Sequence, residues 1–381
     1  MKKFLLNTPN ISKLEKKYIN SAINLNWLSS SGFNTKIFEK KFSKFTNRKF
    51  SLAVQSGTAA LHATLKGLGV KKNDKVITPI YSCVASISSI TQCGAIPVAV
   101  DVERETLGLD LELVKKAIRL HKPKVLQLVH VYGYPAKHSL EIIKFCKKNK
   151  VLVIEDGSES LGAKIANLKV GQMGDVSIFS IRSEKMIGVG EGGVISTNNK
   201  YFFKNITLFC SRSAPFRKKK DPYWKKYYST GEGYNYLMPH LLGSLARAQI
   251  ERFSKYILKE KIRVGKLYRK IFRDNSEFGL TQNILKGSKS SFWLNSLYFK
   301  KITNKKLILL GKELEKKNIE IRSGFWPLSH LKGFKPIILE NGTSMNIFKK
   351  TIVLPSDWSL SENDIKYIYN TVISLLKKFS K

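Results

Sequence analysis

Between residues 51 and about 200, short apolar runs alternate with longer stretches whose apolar positions recur at helical spacing. The runs Val76–Thr78, Pro97–Val100, Val125–Leu128, Val151–Ile154, Val176–Phe179 and Gly193–Ser196 predict strands. Ser86–Gln92, Leu111–Leu120 and Ser139–Lys148 predict helices between them. Strands that are apolar on both faces and separated by helices imply a largely parallel sheet covered on both sides. Ahead of this region, residues 11–50 read as helical, with a loop at Trp27–Gly32 and an amphipathic stretch through Phe38, Phe42 and Phe45. Behind it, Ser211–Gly233 is polar, aromatic and glycine-containing, and a long helical region follows from about Leu241 to Phe272. After Asn275 strand candidates, Trp293–Phe299 and Thr351–Leu354, mix with helices near 305–317 and 362–378. The pattern predicts an α/β protein with a large domain over residues 1–250 and a smaller α+β domain over 251–381.

Composition adds one anomaly and several exclusions. The 381 residues, 43% hydrophobic, are ample for a packed core. No apolar run approaches the roughly 20 residues that span a bilayer. The start, Met1 to Leu6, mimics the entry of a signal peptide, but Asn7, Thr8, Pro9 and Asn10 cut it short, which predicts a cytoplasmic chain. Cys83, Cys93, Cys146 and Cys210 lie far apart, and the six histidines are scattered, so neither a disulfide framework nor a metal site is expected. The anomaly is charge: 67 Lys+Arg against 28 Asp+Glu give +39. Such a field attracts nucleic acid, anionic membrane or phosphorylated substrates. No zinc finger, aromatic RNA-binding motif or basic recognition helix accompanies it, so a solvated lysine-rich surface is expected rather than a nucleic-acid protein. The densest run, Arg217–Lys220 followed by Asp221-Pro222, reads as a surface loop.

Three pieces carry chemistry. Ser56-Gly-Thr-Ala-Ala-Leu61 places small residues and hydroxyls at a helix start, where backbone N–H groups and the helix dipole favour an anion. Alone it reads equally as a plain N-cap. Val151–Gly157 is an apolar strand ending in Glu155-Asp156, which delivers a carboxylate to the sheet edge where open α/β folds bind ligands. Alone it reads as a helix cap. Phe179–Lys185, followed by Gly188–Gly193, brings a lysine out of a strand among glycines, where it can approach a ligand and form a Schiff base. Alone it is one basic residue among 67. Together, in this order, they supply an anion cup, a carboxylate for a protonated pyridine and a Schiff-base lysine, which is what pyridoxal 5'-phosphate (PLP) asks of a protein.

With these pieces placed, the chain resembles the DegT/DnrJ/EryC1/StrS family of sugar aminotransferases over nearly its whole length. The resemblance rests on Trp27–Gly32 with Phe38-Glu39, Ser56–Leu61, Gly94–Asp101, His130–Gly133, Glu155–Ala163, Gly174–Ser180, Lys185, Gly190–Gly193, Gly233–Tyr236 and Val353–Ser356. It implies the PLP-dependent fold type I, aspartate-aminotransferase-like. It implies PLP, with pyridoxamine phosphate as its alternate form, carried by Lys185 as base. Asp156 would pair with the pyridine nitrogen, Gly57, Thr58 and Ser180 would hold the phosphate, and Asn235 would reach the neighbouring subunit's cofactor, which implies a homodimer. Glu159 stands near the ring hydroxyl, where many members carry Gln. Trp293, Arg322 and Phe325–Ser329 resemble the stretch that faces the substrate. The implied reaction moves an amino group from L-glutamate to a nucleotide-linked 4-keto-6-deoxy sugar for glycan or surface polysaccharide synthesis.

This sequence departs from the family at three places. Cys83, in Tyr81-Ser-Cys83, stands where a stacking aromatic is usual, so Tyr81 or another ring takes over or the cofactor is held differently. Leu237 replaces an arginine, and Met238-Pro239 replaces Met-Ser. Three rival readings remain at this stage: a PLP-dependent sugar dehydratase, a nucleic-acid-binding or regulatory protein reusing the fold, and an aminotransferase of small keto compounds. Dehydratase relatives replace the Schiff-base lysine with histidine, so Lys185 speaks against the first.

Overall fold

The computed structural model describes residues 2–30, 32–214, 228–273 and 275–380. The run Arg217–Lys220 and Asp221-Pro222, expected as a surface loop, lies outside the described residues. In chain order the strands of the first half are β1 (Phe50–Val54), β2 (Lys75–Pro79), β3 (Ile96–Val100), β4 (Val125–Val129), β5 (Leu152–Asp156), β6 (Lys164–Ile165), β7 (Leu168–Lys169), β8 (Val176–Ser180) and β9 (Gly193–Thr197). Those of the second half are β10 (Phe278–Leu280), β11 (Ser288–Lys289), β12 (Asn295–Phe299), β13 (Arg322–Ser323), β14 (Ile337–Leu339) and β15 (Thr351–Leu354).

The large sheet runs β1-β9-β8-β5-β4-β2-β3-β14. From β8 to β14 its strands are parallel, while β9 is antiparallel to both β8 and β1. This is the α/β arrangement that the two-faced apolar strands predict; β4, Val-Leu-Gln-Leu-Val, is buried at every position. Three of its helices start on side-chain caps. Ser56 accepts from Ala59 N–H, Asp110 from Leu113 N–H, and Asn199 from Tyr201 and Phe202 N–H. The segment expected as helical over 11–50 is two helices, Lys13–Asn24 and Phe33–Thr46, and Phe50 already belongs to β1. The first opens on a Ser12/Glu15 capping box.

A second sheet, β10-β12-β15-β13, is antiparallel. Leu297, Ile352 and Leu354 from its strands bury against Val264, Tyr268, Leu310, Leu314, Ile368 and Val372 of the helices Leu258–Ile271, Asn304–Lys316 and Glu362–Ser380. The expected helix from Leu241 to Phe272 is one helical run, His240–Arg252 and Leu258–Ile271 joined by a π-helical turn at Phe253–Ile257. Trp293 precedes β12 rather than starting it, because Phe292 adopts a positive φ of 51° that breaks the extended backbone. β14 leaves the C-terminal region and adds to the edge of the large sheet at β3. No described helix is long and apolar enough to cross a membrane.

Candidate active site

Parallel strands end on one side of the large sheet, and the site assembles there. β5 carries Glu155 and Asp156 two residues beyond the expected strand end, and strand alternation sends them to opposite faces. Glu155 is fully buried and accepts the N–H groups of Gly171 (2.6 Å), Met173 (2.7 Å) and Gly174 (3.0 Å). His130 Nε2 lies 3.3 Å from it. Those hydrogen bonds and the nearby imidazole outweigh burial and hold its carboxyl below the usual carboxylate range. Glu155 therefore pins the loop before β8, and Asp156 is left to face a cavity of 180 Å³.

Gly57, Thr58, Asp156, Ser158, Glu159, Ser180 and Lys185 all line that cavity. The start of the helix Gly57–Gly67 comes very close to the ends of β8 and β9. A Cβ on Gly57 would lie 3.0 Å from Ser180 Cβ, and one on Gly193 would lie 2.4 Å from Ser56 O. No other side chain fits at Gly193, so its smallness sets the distance between helix start and sheet. Ser180 N–H donates to Ser158 Oγ at 3.0 Å, which ties the end of β8 to the turn after β5.

Lys185 sits in the connection between β8 and β9, which closes on itself through Ile181 N–H to Gly192 O and Ser183 N–H to Gly190 O. Its Nζ lies 3.4 Å from Glu159 Oε1 and 3.6 Å from the centre of the Trp293 ring. Carboxylate and indole thus both hold the ammonium. Glu159 Oε2 accepts from Tyr132 N–H at 3.0 Å. Burial is the largest influence on Asp156 and Glu159 and pushes both carboxyls up, with Lys185 pulling the other way.

A support network not foreseen from the sequence lies behind Lys185. Asn7 Nδ2 donates to Glu184 O (2.7 Å), and Trp293 Nε1 donates to the same carbonyl (2.6 Å). The fully buried ammonium of Lys261 joins the two, donating to Asn7 Oδ1 (3.1 Å), Trp293 O (2.8 Å) and Ser356 O. Asn7 is 177 residues from Glu184, and no local signal marks such a pairing.

Three expected residues are not among those that line the cavity: Trp293, which is buried against the Lys185 amine, Arg322 and Asn235. Arg322 is exposed on β13, 4.0 Å from Glu320, and Asn235 is exposed beside Ser211. Cys83 does line the cavity, whereas Tyr81 does not. The Tyr81 ring is buried against Tyr132 and Phe325, with its hydroxyl 3.3 Å from that of Tyr132. Phe325 stacks on Tyr132 with centroids 5.3 Å apart, which brings the Phe325–Ser329 segment to the ring that neighbours Glu159.

These features suit PLP. The cavity joins a helix start kept open by Gly57, a buried carboxylate that burial alone disfavours as an anion, and an amine. A phosphate fits the first, a protonated ring nitrogen relieves the second, and an aldehyde reacts with the third.

Comparison with known proteins agrees. The model of the DegT/DnrJ/EryC1/StrS aminotransferase family matches residues 9–373. A GDP-perosamine synthase from Vibrio cholerae is 32% identical over 370 residues, covering 96% of each chain. Among solved structures, Helicobacter pylori PseC, an aminotransferase involved in pseudoaminic acid biosynthesis, superposes with a TM-score of 0.90 at 22% identity, over 99% of this chain and 100% of that one. A chain from Streptococcus pneumoniae described as a sugar aminotransferase, in its PLP form, gives 0.88 at 23% identity over 99% of each. On its sequence, its fold type and its PLP-dependent relatives, the chain belongs to the DegT/DnrJ/EryC1/StrS aminotransferase family.

Proposed function

We propose that this aminotransferase transfers the amino group of L-glutamate to a nucleotide-linked 4-keto-6-deoxy sugar, GDP-linked as in the perosamine synthase relatives, for glycan or surface polysaccharide synthesis. The observation that carries the reading is the placement of Lys185 Nζ beside Glu159, in one cavity with buried Asp156 and the Ser56–Thr58 helix start.

PLP, when bound, supplies an electron sink and a carrier for the amino group between the two substrates. Gly57, Thr58 and Ser180 are assigned to its phosphate, Asp156 to its ring nitrogen and Glu159 to the side of its ring hydroxyl. A cationic nitrogen beside Asp156 counteracts the burial that raises its pKa and keeps the carboxylate charged. Lys185 Nζ is assigned two tasks, anchoring the cofactor and moving the proton between substrate carbon and cofactor. Glu159 and Trp293 keep the amine aimed into the cavity rather than toward solvent. Trp293 is assigned also to the sugar side, and exposed Arg322 to the outer, nucleotide end.

A homodimer with shared sites belongs to the same proposal. Trp27, Leu28, Phe33 and Tyr234 are between 43% and 53% exposed, an unusual share of large apolar surface next to Asn235. Their segments adjoin, since His240 N–H donates to Leu28 O and the Phe33 and His240 rings are 5.5 Å apart. Covering this patch with a second copy brings Asn235 toward that copy's cofactor.

Absorbance of the PLP-loaded protein tests the reading. L-Glutamate should bleach the visible band of the lysine-bound cofactor, and a keto-sugar nucleotide should restore it. Lys185→Ala should show neither the band nor turnover. A fully active Lys185→Ala enzyme overturns the mechanism. Restoration by small free keto acids but by no sugar nucleotide overturns the acceptor class.

A further inference from the structure

A second cavity, of 540 Å³, shares no lining residue with the first. It lies where the loop after β3 meets β10, β12 and the end of the helix Leu258–Ile271, and Arg104, Arg269, Arg273, Lys300 and Tyr298 line it. The chain's charge is overwhelmingly lysine, with 55 lysines against 12 arginines. Three of those 12 arginines on one cavity are not what a diffuse lysine-rich surface supplies.

Two of these arginines are held in place by neutral groups. Arg104 Nη1 donates to Thr281 O at 2.7 Å, and its guanidinium lies 4.3 Å from the centre of the Tyr298 ring. Arg269 Nη2 donates to Gln282 O at 2.9 Å. Both anchors are backbone carbonyls, which orient a guanidinium and leave its charge intact. Arg269 Nε and Thr281 Oγ1 are buried without a hydrogen-bond partner among the described residues, and Thr281 is 2% exposed. Each is a polar group whose burial is costly unless something bonds to it. Among the described residues Glu105 is the one carboxylate lining the cavity, and it is paired with Lys137. Among the described residues the three guanidiniums thus meet one carboxylate that is itself paired, and an anion bound between them relieves their mutual repulsion.

We propose that this cavity is a binding site for a phosphorylated small molecule, held through its phosphate or diphosphate by Arg104, Arg269 and Arg273. Guanidinium forks match phosphate oxygens in pairs, which is what arginine offers over lysine. The volume falls in the usual range for small-molecule sites, roughly 300–1,000 Å³. An adjoining hollow of 560 Å³, lined in part by Arg269, Asn283 and Lys286, gives room for a group beyond the phosphate.

Inorganic pyrophosphate, titrated calorimetrically into the full-length, PLP-saturated protein at physiological salt, is the probe. Saturable binding is expected, weakened about tenfold or more in Arg269→Gln and in Arg273→Ser, as loss of a charge-assisted pair implies. Arg269 also supports Gln282, so Arg273→Ser, an exposed position, keeps the test independent of folding. The double variant Lys147→Gln/Lys148→Gln, on the exposed end of another helix, should bind as wild type does. Three results would each overturn the proposal: no saturable binding, unchanged affinity in Arg273→Ser, or an equal loss in the lysine control, which would mean general charge alone.

Discussion

Replacing Lys261 with methionine perturbs a buried charge and the support of the active site together. Burial pulls the Lys261 pKa from an ordinary 10.5 down to about 7, while the Asp357 charge pulls it back. As an ammonium its three donors meet three acceptors, on Asn7, Trp293 and Ser356, and after losing the proton it keeps two donors for them. Between pH 7 and 10.5 the unfolded chain holds this proton and the folded chain has released it, so stability rises with pH across that window. One proton corresponds to about 1.4 kcal/mol per pH unit, so wild type should gain about 2 kcal/mol from this site between roughly pH 7.5 and 9. Lys261→Met lacks that gain. It also leaves the three acceptors unpaired, at about 1–3 kcal/mol for each that stays buried without water. Denaturant unfolding of both proteins across that pH range separates the effects: an offset reports the orphaned acceptors, and a difference in slope reports the proton. Because Trp293 and Asn7 are released together, cofactor affinity should fall as well. Parallel pH profiles for wild type and variant would refute the argument, since they would show that Lys261 keeps one protonation state throughout.

Other perturbations probe separate parts of the account. Gly193→Ala places a methyl 2.4 Å from Ser56 O, which must push the phosphate end of the cavity open; PLP affinity, followed by fluorescence, should drop at least tenfold (about 1.4 kcal/mol). Asp156→Asn keeps shape while removing the charge; turnover should fall by roughly a hundredfold or more, with the thermal midpoint nearly unchanged. Glu39, which accepts Ala53 N–H at 2.8 Å, is pushed by burial from 4.5 up to about 7. The folded state therefore holds an extra proton between those values, and stability is lost as pH rises through them. Glu39→Gln should stabilise the protein at pH 8 by up to about 3 kcal/mol and do little at pH 4, as thermal unfolding at the two pH values would show.

The alternation of two-faced apolar strands with amphipathic helices made the parallel sheet legible, because burial on both faces leaves a continuous apolar run. Short elements with mixed exposure were less readable. β1 merged with the preceding helical pattern, since Phe50 continues the aromatic series of Phe38, Phe42 and Phe45 with no glycine or proline between them. Asp156 was legible as a carboxylate at a strand end, but only the strand's alternation shows that Glu155 turns away to pin the next loop. The capping reading of Ser56 and its anion-cup reading are compatible, for Ser56 Oγ caps Ala59 N–H while the same helix start lines the cavity. Long-range partners left no trace. Asn7 reads as the end of an apolar run and Lys261 as one lysine of a helix, yet the two meet behind Lys185. The guanidiniums of Arg104 and Arg269 converge from elements about 165 residues apart, so the second cavity is a product of tertiary structure alone.

The most direct test of the central claim is to follow the nitrogen itself. The purified protein, loaded with PLP, is incubated with L-glutamate carrying a heavy-nitrogen amino group and a GDP-linked 4-keto-6-deoxy sugar, and the sugar nucleotide is weighed by mass spectrometry. An amino sugar nucleotide containing the heavy nitrogen is expected, formed by wild type and absent with Lys185→Ala. A sugar nucleotide that loses water without gaining nitrogen, or one that returns unchanged while glutamate is consumed, would contradict the claim.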